Sequence, residues 1–282
     1  MDISYTKMHG LGNDYLFIDG AANTVEDPAE LSRQMSHRRL GAGSDGIILI
    51  LPSDSGAFRM RMFNADGSEA ETCGNGIRCF AKYVYERGMI DQTEFTIDTL
   101  AGPNAVTLQV DSGRVASVRS NMGEPRFERE AIPMEGPPGR VIEEALELDS
   151  ETLNVTCVNV GNPHAVVFVD DATLVPLEVL GPQVENHPKF PERTNVEFVN
   201  VIDRNNIVMR IWERGSGVTM ASGSGSCGAA LASMITDRVD RKVSVHLVYG
   251  QLAIEWGEDG HVYQEGPATE VYDGVWSLNG SK

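Results

Sequence analysis

Two short turns, Cys73-Gly74-Asn75-Gly76 and Ser222-Gly223-Ser224-Gly225, hold the residues of this chain best placed to do chemistry. After Gly76 the apolar residues Ile77, Phe80, Ala81 and Val84 recur at helical spacing, and Gly88 supplies a stop after Glu86-Arg87. Cys227, Ala230, Leu231, Met234 and Ile235 form a similar stripe after Gly225. Cys73 and Ser222 are therefore predicted to stand at the N-termini of two helices. Backbone N–H groups converge at such a point, and the positive end of the helix dipole favours an anion such as a carboxylate. A thiol placed there can act as a general base, while the amides stabilise the enediolate-like charge left when an α-hydrogen departs. A second acid on the opposite face would return a proton and invert the carbon. The residue types point to cofactor-free chemistry at the α-carbon of a small amino acid.

Each piece has a plainer reading when taken singly. A Gly-x-Gly before a helix is commonly a tight turn, and a cysteine at an apolar helix start is commonly packing. Cys73 departs from that pattern because residues 64–72 before it are polar and loop-like. A repeat strengthens the case further. An offset of 149 residues aligns Arg61-Met62-Phe63-Asn64 with Arg210-Ile211-Trp212-Glu213, Gly74 and Gly76 with Gly223 and Gly225, and Gly12-Asn13 with Gly161-Asn162. The turn Asp111-Ser112-Gly113 resembles Glu258-Asp259-Gly260 at an offset of 147. A period this long fits two duplicated domains rather than a solenoid.

The elements that position the two turns follow from local patterning. Strand-like runs cover Ala105 to Val110, Val115 to Val118, Val243 to Val248 and Leu252 to Trp256, with turns at Asp111-Ser112-Gly113 and Glu258-Asp259-Gly260. The expected fold is α/β of the α+β type. It has two pseudo-symmetric lobes, each a curved, mostly antiparallel sheet around one long helix and facing the other across one active site. The N-terminal lobe takes 1–121 plus 269–282 and carries Cys73; the C-terminal lobe takes 122–268 and carries Ser222. Asn121-Met122-Gly123-Glu124-Pro125 is the expected hinge, and Glu135-Gly136-Pro137-Pro138-Gly139 a surface excursion.

Composition bounds the function. The chain has 282 residues, 41% hydrophobic and 23% charged, with a formal charge of −18. That charge argues against nucleic acid or an anionic membrane as a partner, since either calls for a basic stripe. The start Met1-Asp2-Ile3-Ser4 lacks the basic cluster of a signal peptide and no run approaches a membrane span, so a cytoplasmic setting is expected. The four cysteines at 73, 79, 157 and 227 lack paired Cys-x-x-Cys spacing, so neither a disulfide scaffold nor a metal site is expected. Cys79 and Cys157 read as buried small hydrophobes.

The stretch Asn64-Ala65-Asp66-Gly67-Ser68, followed by Cys73-Gly74-Asn75-Gly76-Ile77-Arg78-Cys79, resembles the signature of the diaminopimelate epimerases. Met8-His9-Gly10-Leu11-Gly12-Asn13-Asp14 resembles that family's opening. Gly161-Asn162-Pro163-His164, Thr194-Asn195-Val196 and Glu213-Arg214-Gly215 match in order, so the likeness spans essentially the whole chain. The resemblance implies an epimerase independent of pyridoxal phosphate that converts LL-diaminopimelate to the meso form for lysine and cell-wall synthesis, as a homodimer and without a cofactor. It also implies roles. Cys73 is one catalytic acid/base residue, and Ser222 stands in the place of the other, where the family pattern Glu-Thr-x-Ala-Cys-Gly reads Val218-Thr219-Met220-Ala221-Ser222-Gly223. His164 and Glu213 help deprotonate the catalytic pair. Asn64, Asn162, Asn195 and Arg214, the last as a buried cation, hold the distal amino-acid end. Asn13 and the backbone of Gly74-Asn75 and Gly223-Ser224 surround the reacting end, and Gly46 is a further substrate-binding residue.

An alcohol is a far weaker acid than a thiol, so proton abstraction from the Ser222 face is expected to be severely slowed. Two other readings follow from that substitution. One is a lyase or one-sided isomerase in which Cys73 alone removes a proton and Ser222 donates one to a leaving group. The other is a non-catalytic amino-acid-binding protein.

Overall fold

The computed structural model describes residues 2–71, 73–149 and 151–277. The chain divides into two compact units, Met1–Ser120 with Gly266–Lys282, and Asn121–Glu265. The first opens with β1 (Asp2–Gly10), β2 (Asn13–Asp19), α1 (Pro28–Ser36), β3 (Gly46–Leu51), β4 (Phe58–Asn64) and β5 (Glu69–Ala70). It continues through α2 (Gly74–Glu86), β6 (Glu94–Thr99), β7 (Gly102–Asp111) and β8 (Arg114–Asn121). The second unit holds β9 (Glu144–Glu147), β10 (Thr152–Asn159), β11 (Pro163–Phe168), α3 (Leu177–Glu185), β12 (Asn195–Asp203) and β13 (Asn206–Glu213). After these come β14 (Gly217–Thr219), α4 (Gly223–Ile235), β15 (Lys242–Leu247), β16 (Gly250–Trp256) and β17 (Val262–Gly266), and β18 (Thr269–Ser277) returns to the first unit. That return begins at Gly266, three residues before the expected 269, where the Pro267 carbonyl accepts from the Arg78 guanidinium at 3.2 Å.

Strand pairing is mixed and runs in the same order in both units. In the first, β1 and β2 are antiparallel, β2 and β3 parallel, β3 and β4 antiparallel, and β4 is parallel to β6. In the second, β10 and β11 are antiparallel, β11 and β12 parallel, β12 and β13 antiparallel, and β13 is parallel to β15. The register repeats as well. Tyr15 pairs with Gly46 and Ile48 with Met62; the positions 149 residues later, His164 with Asn195 and Glu197 with Ile211, pair in the same way.

Because successive side chains leave a strand on opposite faces, the first sheet builds two cores. Tyr15, Phe17, Ile48, Ile50, Met60 and Met62 pack with Ile77, Phe80, Ala81 and Val84 of α2. Leu16, Ile18, Ile47, Leu49 and Phe63 pack on the other side with Leu31 and Met35 of α1. In the second unit Val155, Cys157, Ala165, Val167, Val196 and Phe198 pack against Leu177, Leu180 and Val184 of α3. The residues between them, His164 and Glu197 included, are left for α4.

The two shorter helices are additions to the one helix per unit read from sequence. α1 starts at Asp27, whose side chain accepts from the Glu30 N–H, with Pro28 in the first helical position; α3 is nine residues long with Pro182 inside it. The two long helices match the stripes. α2 ends before Gly88, which has φ +68°, and ten residues of α4 are buried, far more than one face of a helix. The tight turns fall where Ser112, Gly113 and Gly260 take positive φ. Among the described residues no helix is long and apolar enough to cross a membrane.

Candidate active site

Cys73 and Ser222 are the N-caps of α2 and α4. Both have extended backbone, and each turns its side chain back on its own helix: Cys73 Sγ accepts from the Gly76 N–H at 3.4 Å and Ser222 Oγ from the Gly225 N–H at 3.1 Å. This is the geometry by which a small polar side chain satisfies one of the donors a helix start leaves open. Glycines stand one and three positions on in both turns, with Asn75 and Ser224 between them. Any Cβ at Gly76 would lie 2.8 Å from Ile48 Cδ1, and one at Gly225 2.5 Å from Ile211 Cδ1. Both helix starts are therefore seated directly on the strands beneath, and the backbone amides of Gly74-Asn75 and Gly223-Ser224 belong to these first turns.

Around Cys73 the side chains form a connected polar group. The thiol donates to Asn13 Oδ1 at 3.4 Å, and Asn75 Nδ2 donates to the same oxygen at 3.1 Å. Asn13 Nδ2 donates to Asp45 Oδ2 at 2.7 Å and to the Tyr15 hydroxyl at 3.4 Å. Asn75 is itself fixed by the fully buried Arg78, which donates to its Oδ1 at 2.6 Å. Burial, with Cys73 alongside, holds the Tyr15 hydroxyl well above its ordinary value, so it remains a protonated donor. Behind Asp45, Arg38 bridges to Asp14, which Lys7 also meets at 2.8 Å. These cations hold the Asp14 carboxyl below its usual range although burial pulls the other way.

Around Ser222 the arrangement is different in kind. His164 is fully buried; its Nδ1 lies 2.6 Å from Glu197 Oε1 and its Nε2 2.8 Å from Asn162 Oδ1. Glu197 is also fully buried, and desolvation raises its carboxyl above the ordinary value. A Cβ at Gly228 would come within 2.9 Å of the His164 ring, so the imidazole is packed against α4 one turn beyond Gly225. Glu213 accepts from the Thr219 hydroxyl. Gln264 donates to the Gly223 carbonyl at 2.8 Å, which ties β17 to the start of α4.

The residues expected at the distal end have varied settings. Asn195 is buried, donates to the Pro163 carbonyl at 2.9 Å and accepts from the Arg214 N–H at 2.9 Å, so it fixes the backbone that carries Arg214. Arg214 is only part-buried and its guanidinium donates to the Glu192 carbonyl at 3.0 Å, which corrects the expectation of a buried cation. Asn64 donates to Ser68 Oγ at 3.0 Å in the turn before β5. Gly46 has a structural reason of its own: a Cβ there would stand 2.2 Å from the Phe63 carbonyl oxygen. Cys79 and Cys157 are buried, as expected, and burial pushes the Cys79 thiol up to about 12 and Cys157 higher still. All four cysteines are thiols.

Four residues that sequence reasoning passed over belong to these groups: Tyr15, Asp45, Arg78 and Glu197. The offset of 149 residues carried the signal for two of them, since it sets Tyr15 against His164 and Ile48 against Glu197.

A probable proline racemase from Agrobacterium radiobacter has the same fold (TM-score 0.71, 16% identity, 98% of this chain and 93% of that one). So does a phenazine biosynthesis protein of the PhzF family from Bacillus anthracis (TM-score 0.70, 17% identity, 99% and 100%). By sequence, residues 5–128 and 156–271 match the family described as diaminopimelate epimerase. A diaminopimelate epimerase from Moorella thermoacetica is 52% identical over 277 residues, covering 98% of this chain and 99% of that protein. One from Methanococcus maripaludis is 48% identical over 273 residues, covering 96% and 99%. The chain belongs to the diaminopimelate epimerase family and is an isomerase of that class.

Proposed function

We propose that this chain inverts one α-carbon of diaminopimelate without pyridoxal phosphate, interconverting the LL and meso forms, and that Ser222 makes one face of the reaction slow. The observation that supports this most directly is the matched pair of helix starts, each with its N-cap side chain on its own first turn. The reading requires both to address one α-carbon from opposite faces. The α-carboxylate then rests on the amides of Gly74-Asn75 and Gly223-Ser224, which also stabilise the enediolate charge. Cys73 as thiolate takes the α-hydrogen, with Tyr15 O–H and Gly76 N–H to stabilise its negative charge. The Ser222 O–H gives a proton to the other face. In reverse, Ser222 would have to act as a base, and an alcohol near neutral pH seldom does.

In the same proposal Asn64, Asn162, Asn195 and Arg214 recognise the distal amino-acid group. Arg214 meets its carboxylate, and the Asn amides serve both ends of a zwitterion. A cytoplasmic homodimer of two pseudo-symmetric lobes, the division expected from sequence, completes it.

The test is α-hydrogen exchange in heavy water, followed by NMR for LL-diaminopimelate, meso-diaminopimelate and lysine. Exchange with diaminopimelate and none with lysine is the expected result. No exchange with either diaminopimelate isomer, or elimination from a β-substituted amino acid instead, would overturn the reading.

A further inference from the structure

Strands β3 and β12 seat one residue each beneath the first turn of the helix above. In the first unit that residue is Ile48, whose Cδ1 lies 2.8 Å from the Cβ position of Gly76. In the second it is Glu197, whose Oε1 lies 3.1 Å from the Cβ position of Gly225. Both are fully buried and both occupy the same register position. The fold therefore accepts a plain hydrocarbon at this station, and packing alone gives no reason for a carboxyl group. A carboxyl also weakens the core, because Oε2 is buried without a hydrogen-bond partner among the described residues.

The hydrogen bonds show what the carboxyl does. Asn162 presents its Oδ1 to His164 Nε2, and an amide oxygen only accepts, so Nε2 carries a proton. On the other side of the ring the 2.6 Å contact between Nδ1 and Glu197 Oε1 also needs a proton between its atoms, carried by one or the other. With Nε2 protonated and donating, the Asn162 amide is held with its Nδ2 turned away from the imidazole. If the proton between Nδ1 and Oε1 were lost, the ring would keep its remaining proton on Nδ1, facing the Glu197 carboxylate. Nε2 would then be an acceptor, and Asn162 would have to turn over to present Nδ2 to it.

We propose that Glu197 is a positioning residue of the Ser222 half-site: sharing one proton with His164, it fixes the orientation in which Asn162 offers its N–H donors to the substrate. The role of Asn162 rests on the epimerase reading; the proton shared by Glu197 and His164 does not. Burial favours the protonated pair by raising the Glu197 carboxyl, and Glu213 on β13 adds to that effect. The Cys157 thiol on β10, itself pushed up by burial, is another titratable group whose field involves Glu197. No residue of α4 carries a charge.

The experiment uses the full chain with 15N-labelled histidine, the variants Glu197→Ile and Glu197→Gln, and calorimetric titration of diaminopimelate from pH 6 to 9. In the parent, the His164 Nε2 signal should be that of a protonated nitrogen, and affinity should fall on the alkaline side as the pair loses its proton. Glu197→Ile places in β12 the residue type that β3 carries. It also leaves the buried His164 Nδ1 without its partner, and it should release the ring to a mixture of tautomers and weaken binding about tenfold, the equivalent of one charge-assisted hydrogen bond. Glu197→Gln can still donate to Nδ1, so it should keep the parent tautomer and lose the alkaline fall in affinity. A Glu197→Ile chain with a lower melting temperature but unchanged His164 signals and affinity would show that Glu197 is structural only and overturn the proposal. If the parent does not bind diaminopimelate at all, the epimerase reading fails, while the 15N signals of the three chains still decide whether Glu197 sets the state of His164.

Discussion

Removing the N-cap side chain from each helix in turn should reveal how different the two half-sites are. Ser222 is 4% exposed and its oxygen accepts from the Gly225 N–H at 3.1 Å; Cys73 is part-buried and its sulfur accepts from the Gly76 N–H at 3.4 Å. Replacing a hydroxyl cap by alanine costs about 0.5–2 kcal/mol. Here the orphaned Gly225 N–H lies under a buried cap with little access to water, so the upper half of that range, about 1–2 kcal/mol, applies to Ser222→Ala. A thiol is a weak acceptor and the Cys73 station is wetter, so Cys73→Ala should cost under about 1 kcal/mol. For domains of this size each kcal/mol moves the melting temperature by about 2–4 °C, giving a fall of about 2–8 °C for Ser222→Ala and under about 4 °C for Cys73→Ala. Calorimetric scans and far-UV circular dichroism of the three chains at one pH would measure this. A Cys73→Ala chain that melts below Ser222→Ala would refute the assignment of the stronger cap to Ser222.

Gly46→Ala forces a Cβ to within 2.2 Å of a backbone carbonyl in the neighbouring strand, so it should destabilise the chain by about 3 kcal/mol, read from the denaturant midpoint; a loss below about 0.5 kcal/mol would contradict the close approach. The carboxyls of Asp14, Glu86 and Glu144 are lowered, mainly by hydrogen bonds to Lys and Arg against an opposing burial effect, so their stabilisation is present above the ordinary carboxylate range and is lost as pH falls from there through the lowered folded values. The raised Glu197 has the opposite sign: its contribution is full at low pH and declines as pH rises from the ordinary value towards the folded one, so Glu197→Ile should flatten that decline in pH-dependent melts. Lysine lacks the carboxylate that Arg214 would meet, and for a part-buried guanidinium a charge-assisted bond of about 1.5–3 kcal/mol translates into roughly 10- to 150-fold weaker binding than diaminopimelate by calorimetry; equal affinities would remove Arg214 from substrate recognition.

Both long helices were legible because an apolar stripe and a glycine stop coincide, and the hairpin turns because Asp-Ser-Gly and Glu-Asp-Gly interrupt alternating runs. The short helices were not. α1 buries only Leu31 and Met35 among its large apolar residues, too few to show a period, and α3 contains Pro182, which argues locally against a helix. The repeat announced itself through glycines, which mark the turns, but the register it implies extends to side chains that differ completely. Glu197 sits in the run Val196-Glu197-Phe198-Val199, where alternation alone gives a strand and cannot say that the charged position faces a helix instead of water. Arg78 stands in the motif after Cys73 with no local sign of burial, and it is fully buried because Asn75 and the Pro267 carbonyl, one beside it and the other remote in sequence, receive it.

The central claim is that Cys73 and Ser222 serve opposite faces of one α-carbon, and turnover of LL-diaminopimelate by the parent chain and by Ser222→Cys at neutral pH tests it most directly. A positioned acid/base group contributes about 100- to 10,000-fold, so the introduced thiol should raise epimerisation by a comparable factor. It should also bring the α-hydrogen exchange rates of the two isomers together and leave substrate affinity within about tenfold, since the amides of the first turn are unchanged. Full activity in the parent, or none in Ser222→Cys, would contradict the account by showing that position 222 is not the second acid/base.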